Sequence, residues 1–169
     1  RSQHRDALKL CTTRLLQRCG TVHDSLRLNW RGKGLDAADA VTVGMLFRAR
    51  ALPTLQELHL DSNPLGDEGM SAMAAGITPG ALRCLTTLVC IDNQLADGAL
   101  GALAAAIGRG GLPALTTLHL SRNRIGDAGA RALAAGCPKL RALNIAGAAR
   151  VTEAGLCALA LAVATSSAW

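Results

Sequence analysis

Apolar and polar residues alternate through LQELHL, LTTLVCI and LTTLHL, three short runs that begin at Leu55, Leu85 and Leu115. A period of two is the pattern of a half-buried strand, with one face on a core and the other turned outward. After each run comes an Asn-led turn, NPLGDEG, NQLADGA or NRIGDAG, and then an Ala-rich stretch, MSAMAAGI, LGALAAAI or ARALAAGC, that predicts a short helix. One unit is therefore strand, turn, helix and return loop. Asp67, Asp97 and Asp127 stand just before the helix starts, where a carboxylate is expected to cap the free N–H groups and face the helix dipole.

The units recur at a fixed stride. Leu58, Leu88 and Leu118 are 30 residues apart, as are Asn63, Asn93 and Asn123, and Leu65, Leu95 and Ile125. Self-similarity at this period marks a solenoid, in which each unit buries its apolar face against its neighbours. Degenerate copies flank the three. Upstream, SLRLNWRGKGL places Leu26 and Leu28 like Leu58 and Leu60, with Arg31 at the Asn position and two extra residues before Leu35. Downstream, Leu143 lies 25 residues after Leu118 and Ala148 takes the Asn position. The expected organisation is a flanking amphipathic helix over 1–21, with Leu8, Cys11, Leu15 and Cys19 as its apolar stripe, followed by a domain of about five repeats over 22–169.

Composition agrees with a thin core. Half of the 169 residues are hydrophobic, yet there is one Phe, no Tyr, and only Trp30 and Trp169. Stacked Leu, Ile and Ala fill a solenoid without large rings. Six cysteines show neither a CxxC nor a Cys/His ligand spacing, so reduced thiols in an intracellular compartment are the expected state. No apolar run reaches the ~18 residues of a membrane span, and no secretory signal is visible. The chain opens on Arg1, so a processed form or part of a longer protein is expected. Net charge is +6, and five basic residues against one Asp fall in the first twenty positions. The bias belongs to one end and raises the odds of an acidic partner there.

The pattern LxxLxLxxNxL, present as LQELHLDSNPL, LTTLVCIDNQL and LTTLHLSRNRI, resembles the leucine-rich repeat. The GDxG step and long helical half resemble its ribonuclease-inhibitor-like class. The resemblance spans roughly residues 22–164. It implies an α/β leucine-rich-repeat solenoid shaped as a horseshoe arc, with a parallel sheet on the concave face and helices on the convex face. It also implies a ladder in which Asn63, Asn93 and Asn123 bond the backbone of adjacent turns.

Alternation assigns the candidate contact surface. With Leu58, Leu60, Leu88, Cys90, Leu118 and Leu120 inward, the concave face carries Arg27, Asn29, Glu57, His59, Asp61, Thr87, Val89, Ile91, Thr117, His119, Ser121 and Asn144, joined by Ala142 and Ala146. Val89 and Ile91 are expected to form an exposed apolar stripe there. Arg122, Arg124 and Arg150 are candidates on the loop edge, and Trp169 at the chain end. His59 and His119 would stand on the order of 10 Å apart on strands spaced ~4.8 Å, too far for one zinc ion, and a shared repeat template accounts for both. Glu57 or Asp61 beside His59 imitates an acid/base pair, but no nucleophile or pocket accompanies it. Gly32-Lys33-Gly34 lacks the phosphate-loop spacing, and one RGG triplet at Arg109 is weak evidence for RNA. No cofactor, metal or catalytic residue is assigned.

These features point to a non-catalytic protein-binding module, a scaffold or structural subunit of a larger assembly. The apolar last helix, LCALALAVATSSAW, is expected to be covered by further chain or by a partner. Regulation of a small GTPase and a nucleic-acid-associated role are the alternatives. The second lacks the aromatic platform that single strands stack on.

Overall fold

The computed structural model describes residues 26–166, with side chains to 162. The predicted helix over 1–21 and Trp169 lie outside the described residues. Within them, strands and helices alternate: β1 (Arg27–Asn29), α1 (Ala37–Arg48), β2 (Glu57–His59), α2 (Gly66–Gly76), β3 (Thr87–Val89), α3 (Asp97–Gly108), β4 (Thr117–His119), α4 (Asp127–Gly136), β5 (Ala142–Asn144) and α5 (Glu153–Ser166). The five strands form one parallel sheet in chain order. Leu28, Leu58, Leu88, Leu118 and Leu143 stand in a single register column. Each helix packs on the next, in the same order. Strands repeat every ~4.8 Å but packed helices need ~8–10 Å, so stacked coils curve with the sheet inside. The result is the expected arc, sheet concave and helices convex.

The core lies between the two layers and is built from repeated columns. Leu58, Leu60, Leu65, Leu85, Leu88, Cys90, Leu95, Leu118, Leu120 and Ile125 are all buried. Helices α1 and α2 approach backbone to backbone at Gly44 and Gly76, where a Cβ on Gly44 would lie 2.7 Å from the Ala72 carbonyl oxygen. No described helix is long and apolar enough to cross a membrane.

The first coil corrects the sequence register. Leu28, not Leu26, pairs with Leu58, so Trp30 occupies the column of Leu60. Trp30 is fully buried while Leu26 is 55% exposed. The LRLN pattern fits either register, but only the observed one removes the indole from water, the larger gain. The stride is therefore 30 from the first coil to the fourth, without the two extra residues, and Lys33 rather than Arg31 takes the Asn position. A slip of two keeps every side chain on its face, so Arg27 and Asn29 remain on the concave side.

The Asn ladder ties coil to coil. Asn63 Nδ2 donates to the carbonyls of Trp30 (2.9 Å) and Leu60, and its Oδ1 accepts from Leu35 N–H at 3.0 Å. Asn123 donates to Cys90 and Leu120, both 2.8 Å, and accepts from Asn93 and Leu95, both 3.0 Å. Asn93 donates to Leu60 at 3.0 Å, but its buried Oδ1 has no donor among the described residues. Pro64 explains the exception. In the first and third coils Gly34 and Gln94 take φ of 65° and 61°, which aims the next N–H, of Leu35 or Leu95, at the following Asn. Proline is locked near φ −65°. Leu65 N–H instead turns back to the Asn63 carbonyl at 2.9 Å, and Gly66 takes φ 60°.

The aspartates form a second ladder, and it differs from the expected caps. None of α2, α3 and α4 has a side-chain cap bond at its own N-cap. Asp67, Asp97 and Asp127 lie inside the first turns and cap the next coil. Asp67 accepts from Ala96 N–H at 2.6 Å. Asp97 accepts from Gly126 (2.7 Å) and Gly129 (3.0 Å). Asp127 accepts from Thr152 N–H (2.7 Å), Thr152 Oγ1 (2.6 Å) and Gly155 N–H (3.2 Å). Of α1 to α4, only α1 caps itself, through the box of Asp36 and Asp39.

Two outcomes test these ladders. Asn123→Ala deprives buried backbone groups of their partners, each worth ~1–3 kcal/mol, and is expected to cost about 3 kcal/mol in urea unfolding. Asn93→Ala should cost less, since its Oδ1 serves no donor; equal losses would refute the asymmetry. The bonds from Thr152 hold the Asp127 carboxyl below its ordinary range. A folded value below the unfolded one means the cap is fully present above about pH 3.9 and is lost as pH falls through the lowered value. The Thr152 amide resonance should titrate there, and Asp127→Asn should abolish the step.

Candidate functional site: the concave face

Outward positions of the sheet fall into three columns set by register. The first holds Arg27, Glu57, Thr87, Thr117 and Ala142; the second Asn29, His59, Val89, His119 and Asn144. The third, one step beyond the strands, holds Arg31, Asp61, Ile91, Ser121 and Ala146 by the same stride. The predicted concave residues thus stand on one face. Exposure is uneven across it. Arg27, Asn29, Ala142, Asn144 and Ala146 are exposed, whereas Glu57, His59, Thr87, Ile91, Thr117 and His119 are half-buried.

Three positions are covered, against expectation. Val89 is only 6% exposed, and Asp61 and Ser121 are buried with it. Val89 sits between His59 and His119 in register, one on each neighbouring strand. The anticipated exposed stripe therefore reduces to half-buried Ile91. Asp61 reaches sideways, where its Oδ1 accepts from Ile91 N–H at 3.2 Å.

The N-terminal third is a linked set of charges. Arg27 grips Glu57 with two contacts of 2.7 Å, Nε to Oε2 and Nη2 to Oε1. His59 Nε2 lies 3.3 Å from Glu57 Oε2, and His59 Nδ1 lies 3.9 Å from Asp61 Oδ2. Bonding from the Arg27 guanidinium, then from His59, holds the Glu57 carboxyl below its ordinary range. The guanidinium itself is raised by the same bond. Arg27 is well exposed, so the pair orients side chains more than it stabilises the fold. At the other end, Ala142, Asn144 and Ala146 give a small, neutral surface.

Arg122, Arg124 and Arg150 are exposed on the strand-to-helix edge, two on one loop and the third one coil on. Arg122 has φ 59° and donates its N–H to the Ala146 carbonyl at 2.7 Å. Among the described residues no group of three or more His, Cys, Asp or Glu side chains is placed to hold a metal ion. Burial pushes the Cys90 thiol far above its ordinary value and Cys137 up to about 11. Both stay protonated near neutral pH and serve as small apolar side chains.

A family profile described as Leucine Rich repeat matches residues 51–74 and 112–134. This chain is a leucine-rich repeat protein. Sixty chains of solved structures match its fold. Among them is "Leiomodin-1 Actin-Binding Site 2 (ABS2)", 14% identical with a TM-score of 0.64, covering 85% of this chain and 82% of that one. No curated protein matches in sequence.

Two features of the leucine-rich repeat domain are not legible in its sequence. The Arg27–Glu57 pair follows only from the corrected register, which sets these residues side by side. The second is a recess of about 500 Å³ at the last coil, bounded by Leu133, Leu140, Leu143, Ile145, Leu156 and Leu159. Leu143 and Ile145 hold the columns of Leu118 and Leu120 yet are only half-buried, and Leu156 and Leu161 are exposed. The bare apolar helix is the sequence signal for this end; the cavity needs the packing.

The charge cluster makes a direct prediction. In Arg27→Met, the Glu57 carboxyl should titrate closer to its ordinary value in carbon-detected NMR, with a remainder of the shift kept by His59. An unchanged titration would show that Arg27 does not set it.

Proposed function

We propose that this chain is a non-catalytic protein-binding module that works within a larger assembly, with the concave sheet as its contact surface. The carrying observation is the division of labour along each strand. One set of residues is consumed by the core, and the alternate set faces outward in three ordered columns across the five described strands, with only Val89, Asp61 and Ser121 of it covered. Such a surface recognises by broad shape match and a few anchors rather than by enclosing a small molecule. Its charged N-terminal third supplies orientation, and Ile91, with His59 and His119 in the adjacent column, supplies a central anchor. The small C-terminal third admits close approach.

The similar leiomodin structure is an actin-binding site, which supports a protein as partner, and the shared fold supports the same presentation of the sheet. The helices of 10 to 14 residues support the ribonuclease-inhibitor-like class. The segment 1–21 is read as the flanking cap of the repeat domain. The apolar recess lined by Leu143, Ile145, Leu156 and Leu159 supports the larger assembly, since exposed apolar surface of this kind favours a covering partner.

The test is capture of partners from the native source, followed by affinity measurement with the identified protein. Ile91→Asp together with His119→Glu is expected to weaken binding about tenfold or more by placing charge at the centre of the contact. Ala105→Glu, on the exposed helical side, should leave it unchanged. Val89 is left untouched, because an Asp at that covered position would threaten the fold. Binding lost in the helical variant and kept in the sheet variant would move the interface to the convex face.

A further inference from the structure

Charge is sorted around each coil. The last residue of α1 and the four return loops, which join each of α1 to α4 to the following strand, carry Arg48, Arg50, Arg83, Arg109, Lys139 and Arg141. These are six of the thirteen Lys and Arg residues between positions 26 and 162. None of the ten Asp and Glu in that range lies in the return segments 46–56, 76–86, 106–116 or 136–141. The acids sit instead at the strand-to-helix side or on the sheet. Glu57, the nearest along the chain, is held by Arg27. All six cations are exposed.

Helix polarity does not account for this. Cations near helix C-termini complement the dipole, and Arg48 and Arg109 end α1 and follow α3 in this way. Arg83 and Arg141, however, lie just before β3 and β5, on the sheet side of the same edge. Because the coils are in register, the loops stack into one strip with cations on both margins. Arg50 is engaged within the strip, donating from Nη2 to the Pro79 carbonyl at 3.3 Å, and no carboxylate competes for it there. A single-sign strip of this kind raises the local concentration of anions and steers them in.

We propose that this return-loop edge docks an acidic polypeptide segment, one rich in Asp and Glu. Five of the six cations are arginines, whose planar guanidinium matches carboxylates bidentately. Last-turn carbonyls at this edge already accept from the loops themselves, Phe47 from Arg50 N–H and Ile107 from Gly110 N–H, so the exposed cations are the groups left for a ligand. The described Trp and Phe rings, of Trp30 and Phe47, are both buried, and His59 and His119 stand on the sheet, so no base-stacking platform lies on the strip. The surface is separate from the concave face, and its success or failure leaves the sheet reading untouched.

The experiment uses the full chain and a fluorescein-labelled peptide of about ten alternating Glu and Gly residues, long enough at ~3.3 Å per residue to run along the strip. Anisotropy should show binding that weakens as salt rises. Arg83→Glu, Arg109→Glu and Arg141→Glu together should weaken it about tenfold or more, while Arg122→Glu, Arg124→Glu and Arg150→Glu, an equal change of net charge on the opposite edge, should change it less than about threefold. All six positions are exposed, and circular dichroism confirms that both variants fold. The basic residues of the first twenty positions are common to both and cancel. Equal loss in the two variants, or no binding by the parent, overturns the proposal. So does tighter binding of a DNA duplex through the same arginines, which would make the strip a phosphate surface.

Discussion

Every coil here leaves buried backbone groups that it cannot satisfy alone, and the neighbouring coil must supply the partner. Leu35 N–H needs Asn63, Leu95 N–H needs Asn123, and the N-termini of α3, α4 and α5 need Asp67, Asp97 and Asp127. A buried polar group without a partner is costly. The 30-residue stride of the first four coils is the geometric consequence, since side chains at equivalent places must meet backbone at equivalent places. Leucine columns alone would tolerate slippage, whereas the amide and carboxylate ladders do not.

That constraint also explains where regularity relaxes. Pro64 cannot adopt the left-handed turn of Gly34 and Gln94, and the cost appears one coil away, as the orphaned Asn93 Oδ1. At the last coil Ala148 replaces the ladder Asn, and its own N–H bonds back to the Ile145 carbonyl at 3.0 Å. The turn there closes on itself, while Leu143 and Ile145 keep their columns with less cover. Polar satisfaction between coils lapses there before the apolar columns do.

Function follows from what the ladders do not use. With Leu, Cys, Asn and Asp positions consumed inside, three remaining surfaces differ in character: the graded concave face, the mixed strand-to-helix edge and the basic return edge. Each is presented in rows because the coils are in register. Such rows present many modest contacts, among which a few anchors carry most of the binding energy at protein interfaces in general.

Much of this was legible in the chain. Alternation in LQELHL and LTTLHL assigned inward and outward residues correctly, and the spacing of Asn63, Asn93 and Asn123 announced the ladder, because periodicity is a local property of sequence. The choice between Leu26 and Leu28 was not, since both fit the alternation and only burial of Trp30 separates them. Nor was the burial of Val89, whose register neighbours His59 and His119 come from other coils. The aspartates show the same boundary: sequence placed them at helix starts, but only the stacking assigned each to the next helix. Residue type and period determined the coil; contacts between coils, set by atoms some 30 residues apart, were decided by the tertiary structure.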